Sequence, residues 1–114
     1  MKAAINGVPH CSIGDGWWAE GFTGSNGWLI EGQADPNDYG AQDWADAQAI
    51  YTAIEERLVP AFYDRDERGI PRVWLQTVKD AIRTVMPRFS SRRMVKEYVR
   101  TMYQPALRHE TVVK

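Results

Sequence analysis

The stretch Asp43-Trp44-Ala45-Asp46-Ala47-Gln48-Ala49-Ile50-Tyr51-Thr52-Ala53-Ile54-Glu55-Glu56-Arg57-Leu58-Val59-Pro60-Ala61-Phe62 decides the fold. Trp44, Ala47, Ile50, Tyr51, Ile54, Leu58 and Phe62 recur mostly at three- and four-residue steps, which is the spacing of one apolar stripe along a helix. Asp43 is placed to cap it, because a carboxylate can accept from the orphan amides of a first turn. Pro60, lacking an N–H, predicts a kink or interruption near the end.

Outward from that stretch the chain shows two regimes. Residues 43–108 read as three helices, and residues 1–42 as a loop-rich segment holding one or two short strands; together they form one structural unit with no repeat and no linker. The polar run 64–69 reads as a solvated connector, and Pro71 suits a first helical turn. Trp74, Val78, Ala81, Ile82 and Val85 line one face of the second helix, which Pro87 ends. Ser90 or Ser91 caps the third, whose stripe is Met94, Val95, Tyr98, Val99, Met102 and Tyr103. Past Pro105 order is expected to fade. In the front segment, residues 1–8 suit one or two helical turns stopped by Asn6-Gly7, and 9–13 a short strand before the Gly14-Asp15-Gly16 turn. The run 23–27 between Phe22 and Trp28-Leu29-Ile30 reads as a hairpin or closed loop with a short returning strand. The span 31–42 reads as irregular backbone. Three striped helices beside a front with little continuous apolar surface imply that the stripes belong against a larger body.

Composition narrows the class. The 114 residues are 44% hydrophobic and 25% charged, with a net charge of −1, the make-up of a small domain or a piece of a larger one. No apolar run reaches the roughly 20 residues of a bilayer span, and no basic-then-apolar leader opens the chain, so the reading is a cytoplasmic protein with no membrane partner. The lone Cys11 cannot form an internal disulfide or a thiolate cluster. Charge is unevenly spread. Residues 1–57 hold nine acids against two bases, and residues 58–114 six acids against twelve bases. Intramolecular complementarity explains this more simply than an anion partner does.

Several groupings invite chemistry. Trp17-Trp18 between Asp15 and Glu20 has the make-up of a sugar platform, although paired tryptophans more simply anchor a loop to a core. Asp35, Asn37, Gly40 and Asp46 approach a calcium loop, but Tyr39 stands at the fifth position and the twelfth is the shorter Asp; a turn into a helix cap fits better. His10 and Cys11, adjacent on a strand, point to opposite faces and have no third ligand nearby, so no metal site is assigned. Arg88, Arg92, Arg93, Lys96 and Arg100 around the short 87–89 connection suggest helix-turn-helix. The acidic front half argues against a nucleic-acid partner and for a solvated or ion-pairing helix face.

Lys2 would be an ordinary terminal charge but for a resemblance. Met1-Lys2-Ala3-Ala4-Ile5-Asn6-Gly7-Val8-Pro9, then Ser12-Ile13-Gly14-Asp15-Gly16-Trp17-Trp18-Ala19-Glu20-Gly21 and Asn26-Gly27-Trp28, closely resemble the α-glucan (glycogen) phosphorylase family, nearest its shorter bacterial and archaeal branch. The likeness continues through Val59-Pro60, Phe62-Tyr63-Asp64-Arg65-Asp66, Gly69-Ile70-Pro71-Arg72 and Met86-Pro87-Arg88-Phe89-Ser90-Ser91-Arg92-Arg93-Met94-Val95, to about Ala106. Cys11 and Gly14 depart from it, standing where the branch is bulkier and more apolar.

The resemblance implies an α/β fold. This chain would be the C-terminal part of a GT-B type glycosyltransferase lobe, mostly helical with one or two short strands. It implies that Lys2 matches the lysine holding pyridoxal phosphate as a Schiff base. The family moves a glucosyl unit from an α-1,4-glucan to orthophosphate, giving glucose 1-phosphate, with the cofactor's phosphate acting in proton transfer. It also implies that the Gly-rich stretch before the lysine and the N-terminal lobe lie outside this sequence, and that the isolated chain is inactive. A non-catalytic glucan-binding module, using Trp17, Trp18 and Trp28, or a helical interaction module is the alternative.

Overall fold

A computed structural model describes residues 1–32 and 38–110, with side chains to residue 108. Asp35, Pro36 and Asn37 of the calcium-like run therefore lie outside the described residues. Helix α1 (Lys2–Ile5) leads to strand β1 (His10–Ile13), helix α2 (Gly16–Gly21) and strand β2 (Gly27–Ile30). A long helix follows: α3 (Tyr39–Thr52), a π-helical stretch Ala53–Leu58, and α4 (Val59–Tyr63). Then come α5 (Arg72–Arg88) and a second composite helix made of α6 (Ser91–Tyr98), a π-helical stretch Val99–Tyr103 and α7 (Gln104–Glu110).

Of the two readings of 23–27, the closed loop with a short returning strand holds and the hairpin does not. β1 and β2 are parallel, paired His10 to Gly27, Cys11 to Trp28, Ser12 to Leu29 and Ile13 to Ile30, with α2 as the crossover. Six helical residues, two of them tryptophan, bridge the sheet in what the sequence suggested was only turn and loop. Asn6-Gly7 does stop α1: Asn6 is its C-cap and Gly7 sits at φ 79°, the left-handed region that glycine enters without cost.

The long helix starts four residues earlier than Asp43. Asp38 is the cap, its Oδ1 accepting from the Ala41 amide at 3.0 Å. Both carboxylates stand where a cap could, and the earlier one takes the role. Pro60 does not break this helix. The missing Pro60 N–H would have bonded the Glu56 carbonyl, and the helix widens into its π stretch across that point. The same device recurs at Pro105, preceded by the stretch Val99–Tyr103, and helix continues to Glu110; residues 111–114 of the expected fading end lie outside the described residues. Pro87 likewise falls inside the last turn of α5, which runs to Arg88. Ser90 caps α6 as expected, accepting from the Arg93 amide at 3.3 Å.

The connector between α4 and α5 is more ordered than a solvated run. Asp66 Oδ1 accepts from the amides of Arg68 and Ile70, each at 2.9 Å, and its Oδ2 accepts from Arg72 Nε at 2.6 Å. The Ile70 amide above all, then the Arg72 side chain, holds its carboxyl below the usual range.

Packing is thin. Ala4, Ala81 and Val85 form the core where α1 lies on α5, with Ile5, Trp17 and Phe89 against it. A compact chain of this length has a radius of gyration of about 13 Å. This one measures 20.1 Å, within 69 × 48 × 17 Å. The apolar stripe of the long helix explains part of the excess, because it faces outward. Trp44 is 69% exposed and Tyr51 58%, while the inward side is built from Gln42, Asp46, Ala49 and the fully buried Ala53.

Candidate functional site

The described side chains converge on the βαβ unit. The Gly16–Gly21 helix presents Trp18 inward, where it is 1% exposed. Its ring lies 4.7 Å from the His10 ring, edge-on, and 5.2 Å from those of Trp17 and Phe22. Trp17 continues the cluster to Phe89 at 5.4 Å. Gly27 allows the closure. A β-carbon there would collide with the His10 carbonyl oxygen and reach within 2.8 Å of the Trp18 ring. The tryptophan pair is thus an anchor, and Trp18 has no face left for a sugar. A separate stack, Trp28 on Trp74 at 5.3 Å with Phe62 edge-on to Trp74, ties β2 and α4 to α5.

Asn26 is the residue that sequence reasoning passed over, although it lies in a quoted string. It is fully buried, with both amide hydrogens donated and its oxygen accepting one bond. Its Nδ2 donates to the Gly21 carbonyl at 2.7 Å and to Thr84 Oγ1 at 2.9 Å, and its Oδ1 accepts from the Thr23 amide at 3.0 Å. Thr84 Oγ1 donates onward to the Asp80 carbonyl at 2.7 Å. One side chain therefore closes the α2–β2 turn and joins it to α5. Asparagine is common in turns, and only the partner 58 residues away distinguishes this one. Asn26→Ala should orphan these buried groups and cost about 2–4 kcal/mol, read as a lowered midpoint in urea unfolding.

Lys2 is exposed at the first position of α1. Its carbonyl accepts from Asn6 Nδ2 at 2.8 Å, which fixes the backbone, and no ion pair to its side chain is found among the described residues. An uncommitted primary amine on a packed helix suits covalent capture of an aldehyde. The structure does not bring Lys2 together with Trp28 or the basic third helix as one site.

His10 and Cys11 point apart, as strand geometry requires. His10 packs on Trp17 and Trp18, and that burial above all lowers its pKa, helped by the N-terminal amine and opposed by Asp15. Cys11 lies toward Arg57; burial pushes its thiol up, disfavouring the nucleophilic thiolate, although Arg57 acts the other way. Among the described residues no three His, Cys, Asp or Glu side chains could hold a metal ion.

The outer edge of β2 is met by Arg57, whose Nη2 donates to the Leu29 carbonyl at 3.2 Å. Arg88 Nη1 donates to the Glu20 carbonyl at 3.0 Å, completing the last turn of α2. Arg88 is therefore part of the fold, whereas Arg92, Arg93, Lys96 and Arg100 stand on an exposed helix. No helix among the described residues is long and apolar enough to cross a membrane.

No family model matches the chain, and no solved structure matches it. Curated relatives do. Glycogen phosphorylase of Aquifex aeolicus is 46% identical over 110 residues, 96% of this chain. Maltodextrin phosphorylase of Thermococcus litoralis is 40% identical over 107 residues, and glycogen phosphorylase of Mycobacterium tuberculosis 41% over 106. The chain spans 16% of the first relative's length and 12% of the other two. The mostly helical structure with two short parallel strands agrees with a portion of such an enzyme. Identity of this degree along more than nine-tenths of its residues, over a small part of each relative, is consistent with a fragment of the glycogen and maltodextrin phosphorylase family.

Proposed function

We propose that this chain is the C-terminal part of the GT-B lobe of an α-glucan phosphorylase, an enzyme moving glucosyl units from α-1,4-glucan to orthophosphate to give glucose 1-phosphate. The observation that carries the reading is the identity to glycogen and maltodextrin phosphorylases along nearly the whole chain, beside which stands the resemblance of the Met1-Lys2 string. In it, Lys2 holds pyridoxal phosphate through its side-chain amine, and the bound cofactor supplies a phosphate group for proton transfer. The exposed, uncommitted Lys2 side chain fits that role.

What this chain's own residues contribute is position. Ala4 and Ile5 press α1 onto Ala81 and Val85, so Lys2 extends from a helix seated on α5. Asn26 and Thr84 join α5 to the βαβ unit, so the lysine's helix and the sheet are both tied to α5. None of the described residues forms a phosphate cradle beside Lys2, so the reading needs the remainder of a phosphorylase-length polypeptide. A cytoplasmic setting belongs to the same proposal and rests on the single cysteine.

The test joins this chain in frame behind the preceding portion of a curated relative. Borohydride reduction followed by peptide mass mapping should place a pyridoxyl group on Lys2, and Lys2→Ala should remove both the label and glucose 1-phosphate formation. The 114-residue chain by itself should form no glucose 1-phosphate from glycogen. Labelling elsewhere with Lys2 unmodified, or turnover by the chain alone, would overturn the reading.

A further inference from the structure

The Lys2 carbonyl is held chiefly by a side chain. In a regular helix it would accept from the amide of residue 6. Here the Asn6 amide lies 2.9 Å from the Ala3 carbonyl and 3.3 Å from that of Lys2, and the Asn6 side chain takes over the vacated place. Its Nδ2 donates to the Lys2 carbonyl at 2.8 Å, the shorter of the two bonds that this oxygen receives from Asn6.

The neighbouring residues seat this arrangement on α5. Gly7 turns the chain at φ 79°, and a β-carbon there would stand 3.3 Å from Val78 Cγ1. Ala4, 2% exposed, packs with Ala81 and Val85. The four residues of α1 are too few to hold a helix by themselves, so its direction depends on these contacts. Ala4 and Gly7 settle where α1 lies. Asn6 settles the peptide plane from which the lysine stem leaves.

We infer that Asn6 is a positioning residue for the Lys2 amine: its side-chain donor sets the direction from which that amine meets the aldehyde of pyridoxal phosphate. The identity of the aldehyde rests on the phosphorylase reading. In the step served, the Lys2 nitrogen bonds the aldehyde carbon and the carbonyl oxygen departs with both amine hydrogens as water, with no oxidant or reductant involved. The nitrogen lone pair must approach that carbon along a defined line. A four-carbon stem turns a small tilt of the backbone into a larger displacement at its tip. Asn6 itself does not touch the aldehyde.

The test uses the joined protein, stripped of cofactor and reloaded with pyridoxal phosphate. Asn6 sits at φ −91°, a negative angle open to other side chains, so exchanges there add no left-handed strain. Asn6→Ala removes the donor. Asn6→Ser keeps one, because a hydroxyl can donate back to the carbonyl four residues earlier, as Thr84 does to Asp80 and Thr101 to Glu97, each at 2.7 Å. Asn6→Ala should raise the pyridoxal phosphate concentration that half-labels Lys2 by about fivefold, on the order of one neutral hydrogen bond. The label is fixed with borohydride and read on the Lys2 peptide by mass. Asn6→Ser should recover most of the difference, and the urea midpoint of both variants should match the parent's. A labelled parent with Asn6→Ala loading equally well, or with Asn6→Ser no better than Asn6→Ala, would overturn this inference alone. A parent that takes no label on Lys2 would overturn the phosphorylase reading and this inference with it.

Discussion

Trp18→Ala is expected to abolish cooperative unfolding of the chain. The side chain is 1% exposed and is enclosed by His10, Trp17, Phe22 and Gly27, so its removal empties the middle of the βαβ unit. Large aromatic-to-alanine changes in cores cost about 3–5 kcal/mol. Here the core is small, so such a loss is comparable to the whole stability of a marginal domain. The measurement is a urea titration followed by circular dichroism, with Trp28 and Trp74 as fluorescent reporters of the neighbouring stack. A second substitution separates ring from donor. The Trp18 indole N–H has no acceptor among the described residues, and an unsatisfied buried donor costs about 1–3 kcal/mol. Trp18→Phe keeps most of the ring and deletes that donor, so it should be much milder than alanine. Equal damage from both would mean that the N–H matters and that the packing account is wrong.

Gly27→Ala should be nearly as damaging, for the opposite reason. A methyl group at this position meets the His10 carbonyl, which is backbone and paired with Gly27 across the sheet, and then the edge of the Trp18 ring. Neither can swing aside as a long surface side chain would. Overpacking of this kind costs about 1–3 kcal/mol and more where backbone must move. The expected result is a lowered urea midpoint together with loss of the exchange protection of the β1–β2 amides. A glycine with open surroundings provides the contrast: at Gly24, at φ 86°, an added β-carbon would meet nothing within 4 Å, so alanine there should perturb only the turn. Should Gly27→Ala match Gly24→Ala, the close approach is not limiting.

Much of the helical layout was legible. The stripes at 44–62, 74–85 and 94–103 all fall on helices, and the caps at Asn6-Gly7 and Ser90 are where turn chemistry puts them. Direction was not legible. Periodicity says that Trp44 and Tyr51 share a face, but nothing local says whether that face looks inward, and here alanines occupy the inside. Strand polarity was hidden for a similar reason. The runs 9–13 and 28–30 could be placed as short strands but not paired, and the helix Gly16–Gly21 between them is what makes them parallel. That helix is carried by burial of Trp18, a tertiary gain that outweighs the poor helix propensity of its terminal glycines. Prolines misled in the other direction, because a widened turn can absorb what an α-helix cannot. At the candidate site, Lys2 came from resemblance alone, while Asn26 needed the 58-residue jump to Thr84 that no window along the chain spans.

The guanidinium of Arg57 on the Leu29 carbonyl gives the little sheet a handed growth rule. A bulky cation parked on the rim of β2 blocks a newcomer from zipping along that side, in the way edge charges guard natural sheets against sticking together. Additional strands must therefore be recruited next to β1, and a polypeptide that extends this sheet has to lay its neighbouring strand against His10–Ile13.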